Sequence, residues 1–468
     1  MSDHNALFSL TGEQKLQKTV RILWWPNITF MKNLEQDSYI QVAKNQIELL
    51  NEIRDDLWHY MVLPRPVASL QFDNVTQWFT DFETYPPTMR SNFRVDVLRE
   101  MADNSIDIDL VMSHLPEHTH QLTSTLHNVT HHVPPVMGYC HWFDLKQVVA
   151  WPKDSFLQNI TGLLEYDRCY ANTQHQKGMV LNQAGDTLNA KTVDRLDEIL
   201  TVQHLGVNTK NIVEKVTKAA TLETKTIVFN HRPDTYKHFK EFMAVCDRLW
   251  EIRQDFNVWI PLLDKPNREY VSTAKFDKEG YYKELEGCYV GFSPKQDYGG
   301  WSVSTTDGMM RGVPYLMYDA GYYRELNQWG DFFRDDNEAF TKLGKYLDDP
   351  NLRDVEAKKA LGTVSATLVY KDEMVAMSRY MSDLLSRQKV MGDSSKFKEI
   401  VEHIRLHGEV RKVDLMRWLR WGRGIKWSPY RRALMNHPNV FDVNGATPTY
   451  CWQDLTDANN RPLKGAAR

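Results

Sequence analysis

The chain has 468 residues, of which 25% are charged and 42% are hydrophobic. These values are typical of a water-soluble globular protein with at least two domains and exclude a disordered or fibrous chain. No apolar run approaches the roughly 18 residues of a membrane span, the N-terminal segment lacks the apolar core of a secretion signal, and the five scattered cysteines indicate reduced thiols in a cytoplasmic protein.

The net charge of −4 conceals an uneven distribution. Residues 394–468 contain 14 Lys and Arg against 7 Asp and Glu, a net charge of +7, so the rest of the chain carries −11. A basic segment on an acidic body favours binding of a polyanion, because neutralising phosphates releases counterions and drives non-specific affinity for nucleic acid. A solvated surface rich in lysine and arginine has the same composition, and charge alone leaves both interpretations open.

The first part of the chain alternates strands with helices. Residues 19–27 are a β-branched and aromatic run that ends at Pro26 and Asn27, which predicts a strand leading into a loop. Further strands are predicted over 58–63, 106–112, 133–140 and 167–172, and helices over 37–55 and 91–103. This alternation predicts a parallel sheet with ligand chemistry at the carboxyl ends of its strands.

The same pattern starts again after residue 205. Strands are predicted over 225–230, 257–262, 287–293 and 313–318, and helices over 235–251, from about 304, and over 336–348. We therefore predict two Rossmann-like domains, 1–205 on the acceptor side and 206–365 for the nucleotide-sugar. A long helix over 366–390 is expected to pack back on the first domain.

Residues 394–468 have a different character. Helices are predicted over 397–408 and 413–422, each ended by a glycine, and over 428–438. Two short strands around an Asn–Gly turn follow within 440–452. This order predicts a winged-helix-like nucleic-acid-binding module. The residues expected to contact nucleic acid are Arg417, Arg420, Arg431, Arg432 and Asn436, and those expected to form the module's own core are Trp418, Trp421 and Trp427.

The segment 287–319 carries the strongest chemical signal. A predicted strand leads into Gly299 and Gly300, and a helix opens near Ser304. Glycines let backbone amides approach a phosphate, and the N-terminus of a helix presents free N–H groups. A tight strand–helix turn without a ligand explains the two glycines equally well.

Residues 307–314, Asp-Gly-Met-Met-Arg-Gly-Val-Pro, resemble the Glu-Ala-Met-Ala-x-Gly-x-Pro element of family-4-like GT-B glycosyltransferases. The resemblance implies the GT-B fold, in which two Rossmann-like domains face a cleft. It also places Asp307 at the ribose hydroxyls of a UDP-sugar, with Asp in place of the family's Glu.

The tract before that element completes the implied donor site. Gly299, Gly300, Trp301 and Ser302 would supply backbone amides to the diphosphate or the sugar. The family's first acidic residue, eight positions before the second, falls on Gly299 in this chain. The nearest carboxylate that could replace it is Asp297.

A second element agrees with the first. Residues 228–239, VFNHRPDTYKHF, resemble the family's Gly-Arg-x-x-x-x-Lys-Gly motif, whose Arg and Lys clamp the diphosphate. The resemblance gives this role to Arg232 and Lys237, and two cations there would stabilise the charge that develops as the glycosidic bond breaks. Two exposed basic residues at the start of a helix are the alternative interpretation.

Histidines follow two strands of the first domain. His141 matches the strand-end histidine that contacts the transferred sugar in related enzymes, and His114 and His118 are less specific candidates. His131 and His132 lack a carboxylate or cysteine partner at ligand spacing, which predicts surface imidazoles. We expect no metal and no cofactor besides the UDP-sugar co-substrate.

Body and tail together resemble the phage DNA glycosyltransferases that modify hydroxymethylated pyrimidines. This resemblance implies transfer of a sugar from a UDP-sugar to a hydroxyl of a modified DNA base, with retention of anomeric configuration. Two alternatives stay open: a glycosyltransferase acting on a polysaccharide or lipid, and a winged-helix DNA-binding regulator with a nucleotide-sensing α/β body. A chain ending near Met391 is expected to keep UDP-sugar binding and to lose most of its DNA affinity.

Overall fold

The three-dimensional structure is a computed structural model of the chain. It describes the ranges 19–28, 37–65, 70, 72, 74–85, 90–104, 106–130, 133–145, 153–266, 268–297, 300–387, 394–418, 430–431, 434, 437, 439–442 and 448–452. Two large sheets, a three-stranded sheet and a two-stranded hairpin organise these residues.

The first large sheet is built by the elements up to residue 202. In chain order they are β1 (Val20–Trp25), α1 (Ser38–Ile53), β2 (Leu57–Pro64), β3 (Val75–Thr80), β4 (Phe82–Tyr85), β5 (Arg90–Phe93), α2 (Val97–Asp103), β6 (Leu110–Ser113), α3 (Pro116–Thr130), β7 (Val136–Cys140), α4 (Lys153–Leu163), β8 (Arg168–Ala171), α5 (Gln174–Gly185), α6 (Ala190–Ile199) and β9 (Leu200–Val202). The strand order is β3-β2-β1-β6-β7-β8-β9. It reverses between β1 and β6, which both pair in parallel with their neighbours.

The strands predicted for this part of the chain are confirmed, although those predicted over 106–112 and 133–140 begin only at Leu110 and Val136. Strand β1, with the sequence VRILWW, is buried at all six positions, as a central parallel strand covered on both faces requires. The predicted helix over 91–103 is wrong in its first part, because Arg90–Phe93 is a strand that pairs antiparallel with Phe82–Tyr85. The helix begins only at Val97. The hydrophobic periodicity of the sequence did not predict this hairpin, because a short strand is stabilised by hydrogen bonds to its partner strand.

The second large sheet is formed by the next part of the chain. Its elements are β10 (Thr226–Val228), α7 (Phe239–Ile252), β11 (Asn257–Trp259), β12 (Val271–Ser272), α8 (Lys278–Glu286), β13 (Val290–Ser293), α9 (Val303–Met310), β14 (Tyr315–Tyr318), α10 (Gly321–Leu326), β15 (Asp331–Phe333), α11 (Asp336–Asp348), α12 (Pro350–Thr367) and α13 (Tyr370–Arg387). The strand order is β12-β11-β10-β13-β14-β15, and every neighbouring pair is parallel. This is the Rossmann order, with its switch point between β10 and β13.

The helix predicted over 366–390 is confirmed as α13, although its predicted start is wrong by four residues. Helix α12 ends at Thr367, and α13 begins at Tyr370. The break falls at Val369, whose backbone forms an isolated parallel bridge with Val207. A residue whose backbone pairs with a segment distant in the chain leaves the helical hydrogen-bond pattern, and the sequence near it carries no sign of that partner.

The C-terminal module has its own small sheet. Its described elements are α14 (Ser394–His407), β16 (Glu409–Arg411), α15 (Lys412–Trp418), β17 (Val440–Asp442) and β18 (Thr449–Trp452). The strands pair antiparallel in the order β16-β18-β17. The two predicted helices and the predicted strand pair are present, whereas β16 was not predicted. Most of the predicted third helix lies outside the described residues, and the winged-helix assignment stays a prediction.

Trp418 does not belong to the core of this module. That core contains the aliphatic residues Ile400, Ile404, Leu415 and Leu434. The Trp418 side chain is 44% exposed and stacks on His403 with ring centroids 3.7 Å apart. The prediction of a core role is therefore wrong for Trp418, while Trp421 and Trp427 lie outside the described residues.

A buried cluster of six charges joins the module to the first sheet. Arg21 of β1 donates to both carboxylate oxygens of Asp442 in β17. Lys412 Nζ of α15 donates to Asp107 Oδ1 at 2.8 Å. The three cations of the cluster, Arg21, Lys412 and Arg431, face the three anions Asp107, Asp109 and Asp442. The charges balance, so the desolvated groups compensate one another.

Arg431 is part of this cluster and not of a nucleic-acid surface. Its side chain is 2% exposed. Arg431 Nη2 lies 2.5 Å from Asp109 Oδ2, and Nη1 lies 3.2 Å from Asp442 Oδ2. A guanidinium held in this way does not reach a phosphate in solvent. The prediction that Arg431 contacts nucleic acid is therefore wrong. Arg431 instead joins the C-terminal module to the first sheet through its buried ion pairs.

By its contacts the chain divides into two compact units. Unit 1 comprises 1–113, 118–137 and 379–468, and unit 2 comprises 114–117 and 138–378. The C-terminal module therefore belongs to the same unit as β1, and the whole second sheet belongs to unit 2. The domain bounds 1–205, 206–365 and 394–468 stay a prediction.

The described residues contain neither a membrane-spanning helix nor a metal-binding cluster. Among the described residues, no helix combines the length and apolarity needed to cross a membrane. In the same part of the chain, no group of three or more His, Cys, Asp and Glu residues is placed to hold a metal ion. All five cysteines are buried, and none of them forms a disulfide bond.

His59 makes the stability of unit 1 depend on pH. It is fully buried in β2, its Nδ1 accepts a 2.9 Å hydrogen bond from Trp24 Nε1, and its Nε2 lies 3.0 Å from Asn51 Oδ1. Burial lowers the pKa of His59 to about 3. Between this value and the unfolded pKa of about 6.5, the unfolded chain binds more protons. The stabilisation is therefore complete above about pH 6.5 and is lost as the pH falls.

We expect His59→Gln to flatten this dependence by about 1 kcal/mol per pH unit below pH 6.5. Urea unfolding of both proteins at a series of pH values measures the difference. Equal slopes would show that His59 is not the titrating group.

Candidate active site

The predicted donor residues converge at the switch point of the second sheet. The loop after β10 carries Arg232 and Lys237, and the segment after β13 leads to α9, which contains Asp307. Strands β10 and β13 are direct neighbours, with Ile227 opposite Val290. The carboxyl ends of the two strands therefore lie side by side, as in ligand sites of open α/β sheets.

Lys237 is a half-buried cation with a neutral partner. It ends a short 3-10 helix, Thr235–Lys237, and its Nζ donates a hydrogen bond to Gln296 Oε1. Burial and the nearby Arg232 lower the pKa of Lys237 to about 7, and Asp234 opposes the shift. Arg232 itself is exposed. The charged form of Lys237 is therefore disfavoured beside Arg232, and an anionic ligand would stabilise it.

Residues 228–239 resemble the Gly-Arg-x-x-x-x-Lys-Gly motif, and histidines occupy both of its glycine positions in this chain. His231 is buried, and its pKa is well below the ordinary value because of burial and of Lys237. His238 adopts a left-handed backbone conformation, with φ of 48°, which a glycine reaches without strain. The His238 ring compensates by bonding Asp297 Oδ1 at 2.9 Å.

Asp297 is therefore engaged by a protein side chain. Its carboxylate faces His238, and its backbone N–H donates to Tyr236 O at 3.1 Å. These contacts join the end of β13 to the loop after β10. The expected contact of Asp297 with the sugar stays a prediction.

Asp307 lies in the middle of α9. Burial raises its pKa to about 7, against the opposing effects of Lys278 and of a hydrogen bond with Tyr281. The next residue must be glycine, because a Cβ on Gly308 would lie 2.2 Å from the ring of Tyr315. Close packing of α9 on β14 therefore holds Asp307 in place beside the switch point.

The loop before α9 is anchored by its side chains. Ser302 caps the helix by accepting from the Thr305 amide, and Trp301 is buried against His204 with ring centroids 5.1 Å apart. A Cβ on Gly300 would lie 3.2 Å from the amide of Asn172, which follows β8. Gly299 lies outside the described residues. The Ser302 hydroxyl is thus used as a helix cap, and the Trp301 ring is stacked on His204, while the Trp301 indole N–H has no hydrogen-bond partner among the described residues.

The candidate histidines at the ends of β6 and β7 come together. His141 and His114 have ring centroids 5.4 Å apart, and Tyr139 lies 4.7 Å from His141. Burial lowers the pKa of His141 well below its ordinary value, with a smaller contribution from His114. Burial alone lowers the pKa of His114 to about 3. Both imidazoles are therefore neutral near pH 7.

The sequence interpretation missed two residues of this site. Asn230 Nδ2 donates to the Tyr281 hydroxyl at 2.9 Å and to Ser304 O at 2.7 Å, which ties β10 to the start of α9. Gln296 is the hydrogen-bond acceptor of Lys237. Polar residues directly after two buried strands were the available signal, because strand ends at a switch point carry ligand contacts.

The structure describes two of the five residues predicted to contact nucleic acid, and they differ in exposure. Arg417 is 75% exposed and pairs with Asp414 at 3.0 Å, an ion pair that contributes little and can exchange for a phosphate. Arg431 is buried, as described above. Arg420, Arg432 and Asn436 lie outside the described residues.

Comparisons of the chain's structure with solved structures identify its fold. Neither a protein-family model nor a curated protein matches the sequence. Sucrose-phosphate synthase from Thermosynechococcus elongatus matches with a TM-score of 0.61 and 12% identity over 79% of this chain and 100% of that chain. A glycosyltransferase from Rickettsia africae matches with a TM-score of 0.58 and 10% identity over 79% and 100%. An E. coli trehalose-6-phosphate structure bound with UDP-2-fluoro glucose matches with a TM-score of 0.55 and 11% identity over 78% and 98%.

These structures share the two-Rossmann-sheet architecture of this chain. The predicted fold class, GT-B, is therefore confirmed. At 10–12% identity the likeness establishes the fold, while activity has to be argued from the site.

Proposed function

We propose that this chain is a glycosyltransferase that uses a UDP-sugar. One observation carries the proposal: Arg232, Lys237 and Asp307 follow the two neighbouring strands at the switch point of a GT-B fold. Two cations and a carboxylate beside a helix N-terminus fit a nucleoside diphosphate. The E. coli structure of the same fold is bound with UDP-2-fluoro glucose, and this supports a UDP-sugar as donor.

The candidate residues have three tasks in the proposed reaction. Arg232 and Lys237 stabilise the diphosphate as negative charge develops on it. Asp307 accepts hydrogen bonds from the ribose hydroxyls, and His141 contacts the transferred sugar. No further cofactor takes part.

We further propose that the reaction retains the anomeric configuration. The bond from the anomeric carbon to the β-phosphate oxygen breaks, and the acceptor oxygen forms its bond on the same face of the sugar. The acceptor proton passes to an oxygen of the departing UDP, so the diphosphate replaces a protein base.

The proposed acceptor is a hydroxyl on a 5-hydroxymethylpyrimidine of DNA. The net charge of +7 over residues 394–468 supports it, since phosphate contacts give sequence-independent affinity. The 75% exposure of the Arg417 side chain on α15 supports such a contact. The target base would leave the duplex or be single-stranded when its hydroxyl reacts.

UDP release tests this proposal. The protein is incubated with a panel of UDP-sugars, with and without DNA that contains 5-hydroxymethylcytosine or 5-hydroxymethyluracil. We expect release with one UDP-sugar that rises at least about tenfold with modified DNA and not with unmodified DNA. NMR of the glycosylated nucleoside reports the anomeric configuration.

The other outcomes identify the alternatives. Release that rises only with a glycan or lipid acceptor would make this a different glycosyltransferase. Tight DNA binding without turnover of any UDP-sugar would favour the regulator.

A further inference from the structure

Gln296 occupies a central position beside the proposed diphosphate clamp. It is the third residue after β13 and is 6% exposed. Its Oε1 accepts a hydrogen bond from Lys237 Nζ, and its Nε2 donates to the Tyr323 hydroxyl at 2.7 Å. Its backbone N–H donates to the Tyr322 hydroxyl at 2.9 Å. Both ends of the side chain and the backbone are therefore fixed.

The hydrogen bonds decide which way the amide points. The single hydroxyl proton of Tyr323 is donated to Pro294 O at 3.0 Å. The hydroxyl can therefore only accept from Gln296, so Nε2 faces Tyr323 and Oε1 faces Lys237. Tyr323 is buried in α10, which makes this orientation a property of the folded sheet.

A neutral acceptor suits a lysine that must bind an anion. Lys237 is surrounded by Arg232, His231 and Asp234 and lies 5.1 Å from the ring centroid of Tyr236. A carboxylate in place of the Gln296 amide would neutralise the ammonium and repel a phosphate. The amide aims the ammonium and leaves its charge available.

We propose that Gln296 is the positioning residue of the clamp, which holds the Lys237 ammonium in the direction of the donor diphosphate. This inference rests on the proposed function, since it assigns Lys237 to that diphosphate. Gln296 acts through Lys237 and has no separate contact with the donor.

Calorimetric titration with UDP tests the inference by a double-mutant cycle. We expect Gln296→Met to weaken UDP binding about tenfold in the wild-type background and less than about twofold in the Lys237→Ala background. Tyr323→Phe removes the hydroxyl that orients the amide and should weaken binding about threefold, again only when Lys237 is present. Gln46 is a buried glutamine of α1 in unit 1. Gln46→Met is the matched control and should leave UDP binding unchanged.

The pH dependence gives a second readout. Since the pKa of Lys237 is about 7 without ligand and a bound diphosphate raises it, UDP affinity should fall as the pH rises from about 7 to about 8.5. Gln296→Glu should move this fall to higher pH, because a carboxylate favours the charged amine. Lys237→Arg, which stays charged, should remove it.

The double-mutant cycle and the pH profile can each contradict the positioning role of Gln296. Equal losses for Gln296→Met in both backgrounds, or a pH profile that Gln296→Glu does not shift, would overturn the positioning role. Thermal unfolding of every variant shows whether a loss of binding comes from misfolding. If Gln296→Met is misfolded, Tyr323→Phe replaces it in the cycle. If the wild-type protein binds no UDP, the proposed function fails, which is distinct from UDP binding that depends on Lys237 but not on Gln296.

Discussion

Replacing Lys237 by alanine is expected to lower turnover of the UDP-sugar by about 100-fold or more. Lys237 is half-buried and its Nζ donates a hydrogen bond to Gln296, so in the proposed reaction its charge would act on the leaving diphosphate with less screening than that of an exposed lysine. Arg232→Ala should have an effect of similar size, because the two cations act on the same developing charge. Steady-state release of UDP measures both, with the acceptor that gives turnover.

Lys240 provides the matched control for this prediction. It is an exposed lysine at the start of α7, three residues after Lys237. Lys240→Ala removes the same charge from the same region and should change turnover less than about twofold. Turnover at the wild-type level in both Lys237→Ala and Arg232→Ala would remove these residues from the active site and with them the proposed donor site.

Replacing Arg431 by methionine is expected to lower the free energy of unfolding of unit 1 by about 3–5 kcal/mol. The substitution keeps much of the side-chain volume and removes the charge that faces Asp109 and Asp442. Two buried carboxylates then lose a partner in a region with little solvent. Hydrogen exchange of the β1 peptide, Val20–Trp25, measures the loss locally, since Arg21 of that strand belongs to the same cluster.

Arg417→Met is the comparison variant for Arg431→Met. Arg417 is an arginine of the same module that is 75% exposed, and its loss should change stability by less than about 0.5 kcal/mol. Arg417→Met should weaken binding to DNA, whereas Arg431→Met should act on stability. Arg431→Met protein of wild-type stability that fails to bind DNA would restore the nucleic-acid role and contradict the structural one.

The same cluster changes what removal of the tail would do. A chain ending near Met391 loses Lys412, Arg431 and Asp442 together. Arg21, Asp107 and Asp109 would remain in unit 1 without their partners. We therefore expect such a chain to be less stable, and this loss of stability would act on UDP-sugar binding as well as on DNA affinity. Substitutions of exposed residues such as Arg417 separate DNA binding from folding.

The sequence by itself determined the architecture and the order of the candidate donor residues. Buried parallel strands such as β1 are recognisable because they are continuous apolar runs, and helices such as α11 show the periodicity of one buried face. Both are properties of neighbouring residues. The spacing of Arg232 and Lys237 and the position of Asp307 are equally local, so motif comparison found them.

Only the tertiary structure decided which polar residues are buried and what they contact. Arg431 and Asp109 are 322 residues apart in the chain, and Lys237 and Gln296 are 59 apart. No local pattern specifies such pairs. The free energy of a charged or polar side chain depends on the dielectric and the partners around it, and these exist only once distant segments have packed. For this reason Arg431, which the sequence predicted at a DNA surface, is buried in ion pairs. For the same reason Gln296, which the sequence did not single out, accepts a hydrogen bond from Lys237 of the proposed clamp.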